Sequence, residues 1–191
     1  MLKILNINKN IISQATNFLP KDYIKTLKNK SNFNESIVAR FLIFKNHNFL
    51  PIIDINQKPI FENDFFWSIS HKENLVFVWS SNIPIWIDIE IIKKRSLEIF
   101  SLHLKKEYIF FWEKNLKNFY LLWVLKESVI KLNLITLDDL EYINIQSIIK
   151  KNIIIDWIKF MFQAYWIYKN TEFISFIWYK NNLVYAISHF K

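Results

Sequence analysis

The stretch LVFVWSSNIPIWIDIEI, residues 75 to 91, decides how the chain is expected to fold. It holds two apolar, β-branched runs separated by the turn-forming SNIP, which reads as two extended strands. Upstream, FWSIS (66 to 70) has the same character, and HKEN separates it from the first run. Three such runs with short polar breaks predict three antiparallel neighbours. The last run then places Trp86, Asp88 and Glu90 at every second position. Side chains alternate along a strand, so these three share one face, and the two acids have Cα atoms about 6.6 Å apart.

Like charges so close repel unless a cation or a lysine neutralises them. Two arrangements meet that condition. One is an edge strand whose acidic face is wet. The other is a Mg²⁺ site, because Mg²⁺ takes a couple of carboxylates together with water and phosphate oxygens.

Outward from this stretch, LKILNI (2 to 7) reads as a first strand, and residues 20 to 31 and 35 to 46 read as helices, Asn34 capping the second. PIIDI (51 to 55) reads as a short extended segment. From Ser96 the spacing becomes helical, in LEIFSLHLKKEYIFFWEKN (97 to 115) and again in FYLLWVLKESVIKL (119 to 132). After residue 140 strands return and close on a hairpin, EFISFIWYKNNLVYAIS (172 to 188). The order implies an α+β protein with antiparallel sheets and packed helices. We expect two similar halves fused in one compact chain, an N-terminal half over 1–91 and a C-terminal half over 92–191.

Composition narrows the class. The chain has 191 residues, enough for a sizeable core, and is 52% hydrophobic and 18% aromatic, which excludes a disordered polymer. No apolar run approaches the ~18 residues that cross a bilayer, and MLKILNINKNIISQ lacks the apolar segment and cleavage site of a signal peptide. With no Cys, disulfides and thiolate metal sites are excluded. These features point to a soluble, cytoplasmic protein. The net charge of +8 arises from lysines dispersed along the chain, and Arg40 and Arg95 are its only arginines. Arginine is the preferred bidentate reader of phosphate and guanine, so nucleic acid is not the expected partner. Gly is absent, where about 13 would be usual. Turns must therefore lean on Asn, Asp and Pro, as in 29–34, 46–48, 56–59 and 180–182.

Three further segments carry reactive side chains. In WVLKESVIK (123 to 131) Trp123, Glu127 and Lys131 recur every four residues and share one helix face. On spacing alone Glu127 and Lys131 are an ordinary helical ion pair. In SISHK (68 to 72) Ser70 and His71 close a strand, and adjacent strand residues point to opposite faces, which argues against a nucleophilic Ser–His pair. In QKPIF (57 to 61) Lys58 precedes a proline, as in a turn.

Taken in order, these segments resemble the Sfp-type 4′-phosphopantetheinyl transferases. That family shows a GKP turn, an aromatic-x-x-Ser-His strand end, an (I/V)-G-(I/V)-D-x-E strand, and a helix with W-x-x-K-E-(A/S)-x-x-K. Here they stand as QKPIF, WSISH, IWIDIE and WVLKESVIK, and the similarity runs from about Lys58 to Lys131. The resemblance implies a pseudo-dimer of two α/β halves with the active site between them, acting as a monomer. It implies transfer of the phosphopantetheine arm of coenzyme A to a serine of an acyl or peptidyl carrier protein, as in fatty acid biosynthesis. Asp88, Glu90 and Glu127 would bind Mg²⁺, and Glu127, or a water it holds, would take the serine proton. Lys131 would pair with phosphate and steady the leaving group. His71 would donate to a phosphate oxygen with Ser70 beside it, and Lys58 would add a phosphate contact. Ser36 and Lys25 or Lys28 would serve the nucleotide end.

The chain departs from the family pattern at two glycines. Gln57 replaces the Gly of the GKP turn, and Trp86 replaces the Gly of the metal strand. Glycine inside a strand often marks close approach of a ligand, so an indole there could occlude pyrophosphate. Three accounts are open: the protein accommodates Trp86, it binds without transferring, or a glycine codon is being read as tryptophan.

Overall fold

The computed structural model describes residues 1–28, 32–54, 59–61, 64–94, 110, 113, 115–133 and 142–191. These form two compact units, Met1–Ile83 and Pro84–Lys191, each with its own antiparallel sheet. The class is α+β.

The first unit runs β1 (Leu2–Asn6), α1 (Lys9–Phe18), α2 (Lys21–Leu27), α3 (Phe33–His47), β2 (Phe66–Lys72) and β3 (Leu75–Ser81). Its three strands lie in the order β1-β3-β2. The α1 helix begins where the Asn8 side chain accepts the Ile11 N–H at 3.0 Å, satisfying a donor no helical carbonyl can reach. It stops before Pro20, which forces its predecessor out of helical geometry. Every residue of α3 from Ser36 to Ile43 is buried, as befits a helix apolar on nearly all sides. Ile37, Phe41, Trp67, Val76 and Val78 anchor this unit's core.

The second unit runs β4 (Ile85–Ile91), α4 (Leu116–Asn133), β5 (Asn144–Ile155), β6 (Ile158–Tyr168), β7 (Thr171–Lys180) and β8 (Leu183–Phe190). The strands order as β4-β8-β7-β6-β5. The β7–β8 hairpin expected from sequence is present, with Lys180 opposite Leu183.

Four expectations are corrected. FWSIS and LVFVWS pair as foreseen, Ser68 facing Trp79, but IWIDIEI is not their neighbour. It pairs instead with β8, Asp88 opposite Ala186. Pro84 lies between Ile83 and the strand and cannot donate to a ladder, which suits a chain leaving one sheet for another. Asn34 lies inside α3, and Asn32 is the N-cap residue. The α1 helix falls where no helix was foreseen, and PIIDI contributes only one isolated bridge, Ile53 to Pro59. The helix expected over 97–115 lies almost wholly outside the described residues.

Without glycine, left-handed turn positions fall to other residues. Among the described residues eight have positive φ, and Asn48, Asp64, Asp156, Asn170 and Asn181 account for five of them. These are the types whose short polar side chains tolerate that region. The reliance on Asn and Asp was legible in the composition.

Candidate active site

The second unit brings the two richest motifs together. Ser188 on β8 lies directly opposite Trp86 on β4, and residues opposite one another in an antiparallel pair share a face. The Ser188 hydroxyl is 2.6 Å from that of Ser128 on α4. The helix therefore covers the face of β4 that carries Trp86, Asp88 and Glu90. Lys131, one turn further along α4, completes the contact: its Nζ donates to Asp88 Oδ1 at 2.6 Å and approaches the Ile87 carbonyl oxygen at 3.4 Å.

This ion pair lies mostly inside the protein. The Asp88 side chain is 7% exposed and that of Lys131 33%. A carboxylate so buried requires a counter-charge, because desolvation otherwise outweighs what the fold gains. Glu90, half-buried, follows Asp88 on the same face, and Glu127, half-buried, precedes Lys131 by one helical turn. The α4 sequence fixes this placement. Phe119, Leu122, Leu125 and Val129 are fully buried, so the helix rotation is set by its apolar contacts and the polar residues follow.

Three carboxylates on facing elements are hard oxygen donors, the chemistry that Mg²⁺ prefers. Among the described residues, however, no three His, Asp or Glu side chains are gathered closely enough to hold a metal ion. The donor set fits a divalent cation in kind, while the Lys131 ammonium stands at one oxygen of Asp88. Trp86 is 6% exposed and its ring meets Phe190 edge-on at 6.3 Å. In the β8 register Phe190 lies beyond Ser188, on the side away from Asp88's partner Ala186.

The remaining sequence-predicted residues belong to the first unit. Ser70, buried, and His71, half-buried, lie near the end of β2, opposite Phe77 and Val76. Ser36 is buried in α3, where its hydroxyl accepts from Arg40 Nη1 at 2.6 Å. Lys25 is exposed and pairs with Asp22 at 2.8 Å, and Lys28 is exposed at the end of α2. Lys58 lies outside the described residues.

Two features escaped the sequence reading. Arg40 is buried, donates to Ser36 and lies 6.0 Å from the Trp67 ring centroid. Burial pushes the neighbouring Tyr23 phenol up to about 12 against the opposing pull of Arg40, and the Tyr23 hydroxyl donates to the Pro51 carbonyl. A lone arginine among apolar helix residues was the available signal. Lys126, beside Glu127, is fully buried; its flanks Leu122 and Ile130 at helical spacing could have shown this.

An α+β protein with a strand aspartate and a helix lysine joined across a buried interface is the class these observations define. No family model matches the chain. It is 32% identical over 111 residues to the 4′-phosphopantetheinyl transferase gsp of Aneurinibacillus migulanus, across 53% of this chain and 47% of that protein. The match thus spans about half the length of that curated relative.

Proposed function

We propose that the protein is a 4′-phosphopantetheinyl transferase of the Sfp type, a holo-[carrier protein] synthase built as two similar halves. It moves the phosphopantetheine arm of coenzyme A to a serine of an acyl or peptidyl carrier protein. One observation carries this reading. Asp88 of IWIDIE and Lys131 of WVLKESVIK stand 43 residues apart in sequence and 2.6 Å apart in space. The similarity to a protein of that name supports it independently.

In this reading the carrier serine oxygen attacks the β-phosphorus of coenzyme A. A new P–O bond forms, and the bond to adenosine 3′,5′-bisphosphate breaks. Glu127 accepts the serine proton directly or through a water. Lys131 faces the negative charge that grows on the leaving phosphate. His71 donates to a phosphate oxygen, with Ser70 beside it, Lys58 adds a further phosphate contact, and Ser36 and Lys25 or Lys28 attend the nucleotide end. Asp88, Glu90 and Glu127 would hold Mg²⁺, which when bound supplies positive charge to the pyrophosphate oxygens. The net charge of +8 would draw an acidic carrier protein and raise the association rate. The cytoplasm, a monomeric state and a role in fatty acid biosynthesis accompany this assignment. Among the described residues no helix is long and apolar enough to cross a membrane.

Trp86 favours a second reading, because it is buried on the face that carries Asp88. There the protein would be a catalytically impaired homologue that binds coenzyme A or carrier protein without transfer. Incubation with coenzyme A, Mg²⁺ and an apo carrier protein, followed by mass spectrometry of the carrier, separates the two. A gain of one phosphopantetheine arm that EDTA abolishes supports transfer. Unmodified carrier alongside measurable coenzyme A binding supports the impaired homologue.

A further inference from the structure

The β5–β6 hairpin presents an apolar tip to solvent. Trp157 is 98% exposed, and Ile154, just before the turn, is 71% exposed. Pairing between β6 and β7 ends at Phe162 and Ile177, while β5 and β6 stay paired out to Ile155 and Ile158. The end of the hairpin is therefore a two-stranded ribbon that runs past the β6–β7 ladder. Single apolar side chains on a surface are ordinary. Here two of them flank a turn whose backbone is left-handed at both Asp156 and Trp157. That conformation is unfavourable for residues with a Cβ, and at 98% exposure no packing of the indole within the chain offsets it.

The charge around this tip has one sign. The segment IKKNIIIDWIKF (149 to 160) carries Lys150, Lys151 and Lys159 against the single acid Asp156. All three lysines are exposed, and among the described residues none of them is ion-paired. Lys159 lies directly opposite Ile154, so ammonium and aliphatic groups share one face of the ribbon. An indole favours the boundary between acyl chains and head groups, and lysines beside an anionic leaflet are drawn to it. Shape selects the same partner: a convex ribbon meets a flat bilayer directly, whereas a protein would need a groove to receive it. We propose that the hairpin tip docks on an anionic lipid surface. Trp157 and Ile154 enter the head-group boundary, and Lys150, Lys151 and Lys159 face the lipid phosphates and carboxylates. One indole with three lysines gives reversible association, well short of a permanent anchor. The docking is independent of the transferase assignment.

The test is co-sedimentation of the full chain with vesicles of phosphatidylcholine, alone or mixed with phosphatidylserine. Wild type should partition onto the mixed vesicles and much less onto phosphatidylcholine alone, and molar salt should release it. Lys151→Gln should lower the partition coefficient about five-fold, the share of one lysine at such a surface. Trp157→Gly should lower it at least about ten-fold, from the apolar area withdrawn. Glycine suits the left-handed turn, so loss of binding in that variant cannot be traced to unfolding, and a urea midpoint no lower than wild type confirms this. Wild type that ignores the mixed vesicles, partitions equally onto both kinds, or binds unchanged in Trp157→Gly would overturn the proposal. So would capture of an acidic carrier protein or an oligonucleotide that depends on Trp157 while vesicles are ignored, which would assign the tip to a macromolecule instead of a bilayer.

Discussion

Ser188 of β8 stands between two other serines, with Ser128 of α4 at 2.6 Å on one side and Ser175 of β7 on the other. The chain of hydrogen bonds continues in both directions. Trp166 Nε1 donates to Ser175 at 2.8 Å, and Ser128 donates to the Leu125 carbonyl at 2.7 Å. All three serines are buried, so their hydroxyls depend on one another.

Ser188→Val removes the central link and takes one of the hydrogen bonds from each of the buried hydroxyls of Ser128 and Ser175. The expected cost is about 1–3 kcal/mol for the desolvated groups, read as a lower urea midpoint with an unchanged slope. The same bond holds α4 on the sheet one turn from Lys131. Carrier loading should therefore fall in the folded variant as well. Unchanged stability would show that the serine chain contributes nothing.

The turn between β5 and β6 carries a separable strain. Asp156 and Trp157 have φ of 46° and 69° and join the paired residues Ile155 and Ile158. Two positive φ values in a two-residue hairpin loop call for an Asn-Gly or Asp-Gly pair. Trp157 is 98% exposed, so its indole gains no packing in exchange. Trp157→Gly relieves about 1–2 kcal/mol of left-handed strain and returns part of it as chain entropy. A net stabilisation of about 1 kcal/mol is expected in urea unfolding. Asn170, at φ 65° in the β6–β7 turn, is the internal comparison: Asn170→Gly should gain less.

What could be read from the sequence follows from how local the determinants are. The β2–β3 and β7–β8 hairpins were legible because short turns such as Lys180–Leu183 specify their own partners. The placement of IWIDIEI was not, because its partner Leu183–His189 lies about a hundred residues downstream and SNIP looks like one more hairpin turn. The sharing of a face by Trp86, Asp88 and Glu90 needed only alternation along a strand. That Lys131 would bond Asp88 required the rotation of α4, which the buried Phe119, Leu125 and Val129 determine together. Helical spacing alone leaves that rotation open. Burial of Ser36 against Arg40 was equally hidden, since hydroxyl and guanidinium each suit a surface.

His47 provides a pH test independent of the candidate site. Its Nε2 lies 2.7 Å from the Ser80 hydroxyl, and the ring packs against Phe65 at 4.6 Å. Partial burial, then the N-terminal ammonium and Lys3, lower its pKa below the ordinary 6.5. The folded state thus prefers neutral imidazole, while the unfolded state binds a proton below about pH 6.5. This contribution to stability is present above the unfolded value and is lost as pH falls toward the lowered folded value. The thermal midpoint should drop between about pH 7.5 and about pH 5.5, and less so in His47→Gln. Parallel curves for the two proteins would refute the assignment.

Trp86→Gly asks whether the indole obstructs the site or supports it. Trp86 is 6% exposed, touches Phe190 and lies under α4 opposite Ser188. Removing a buried tryptophan costs about 3–5 kcal/mol through lost transfer and residual cavity. The variant should therefore unfold at clearly lower urea concentration. The ring meets Phe190, on the side of Trp86 away from Asp88, and the Asp88 carboxylate is bonded by Lys131. Carrier loading per folded molecule should then not rise when the indole is removed. The decisive comparison is turnover at low temperature, where both proteins remain folded, normalised to the folded fraction. Higher turnover in Trp86→Gly would mean that the indole blocks pyrophosphate, and would give preference to the impaired-homologue reading.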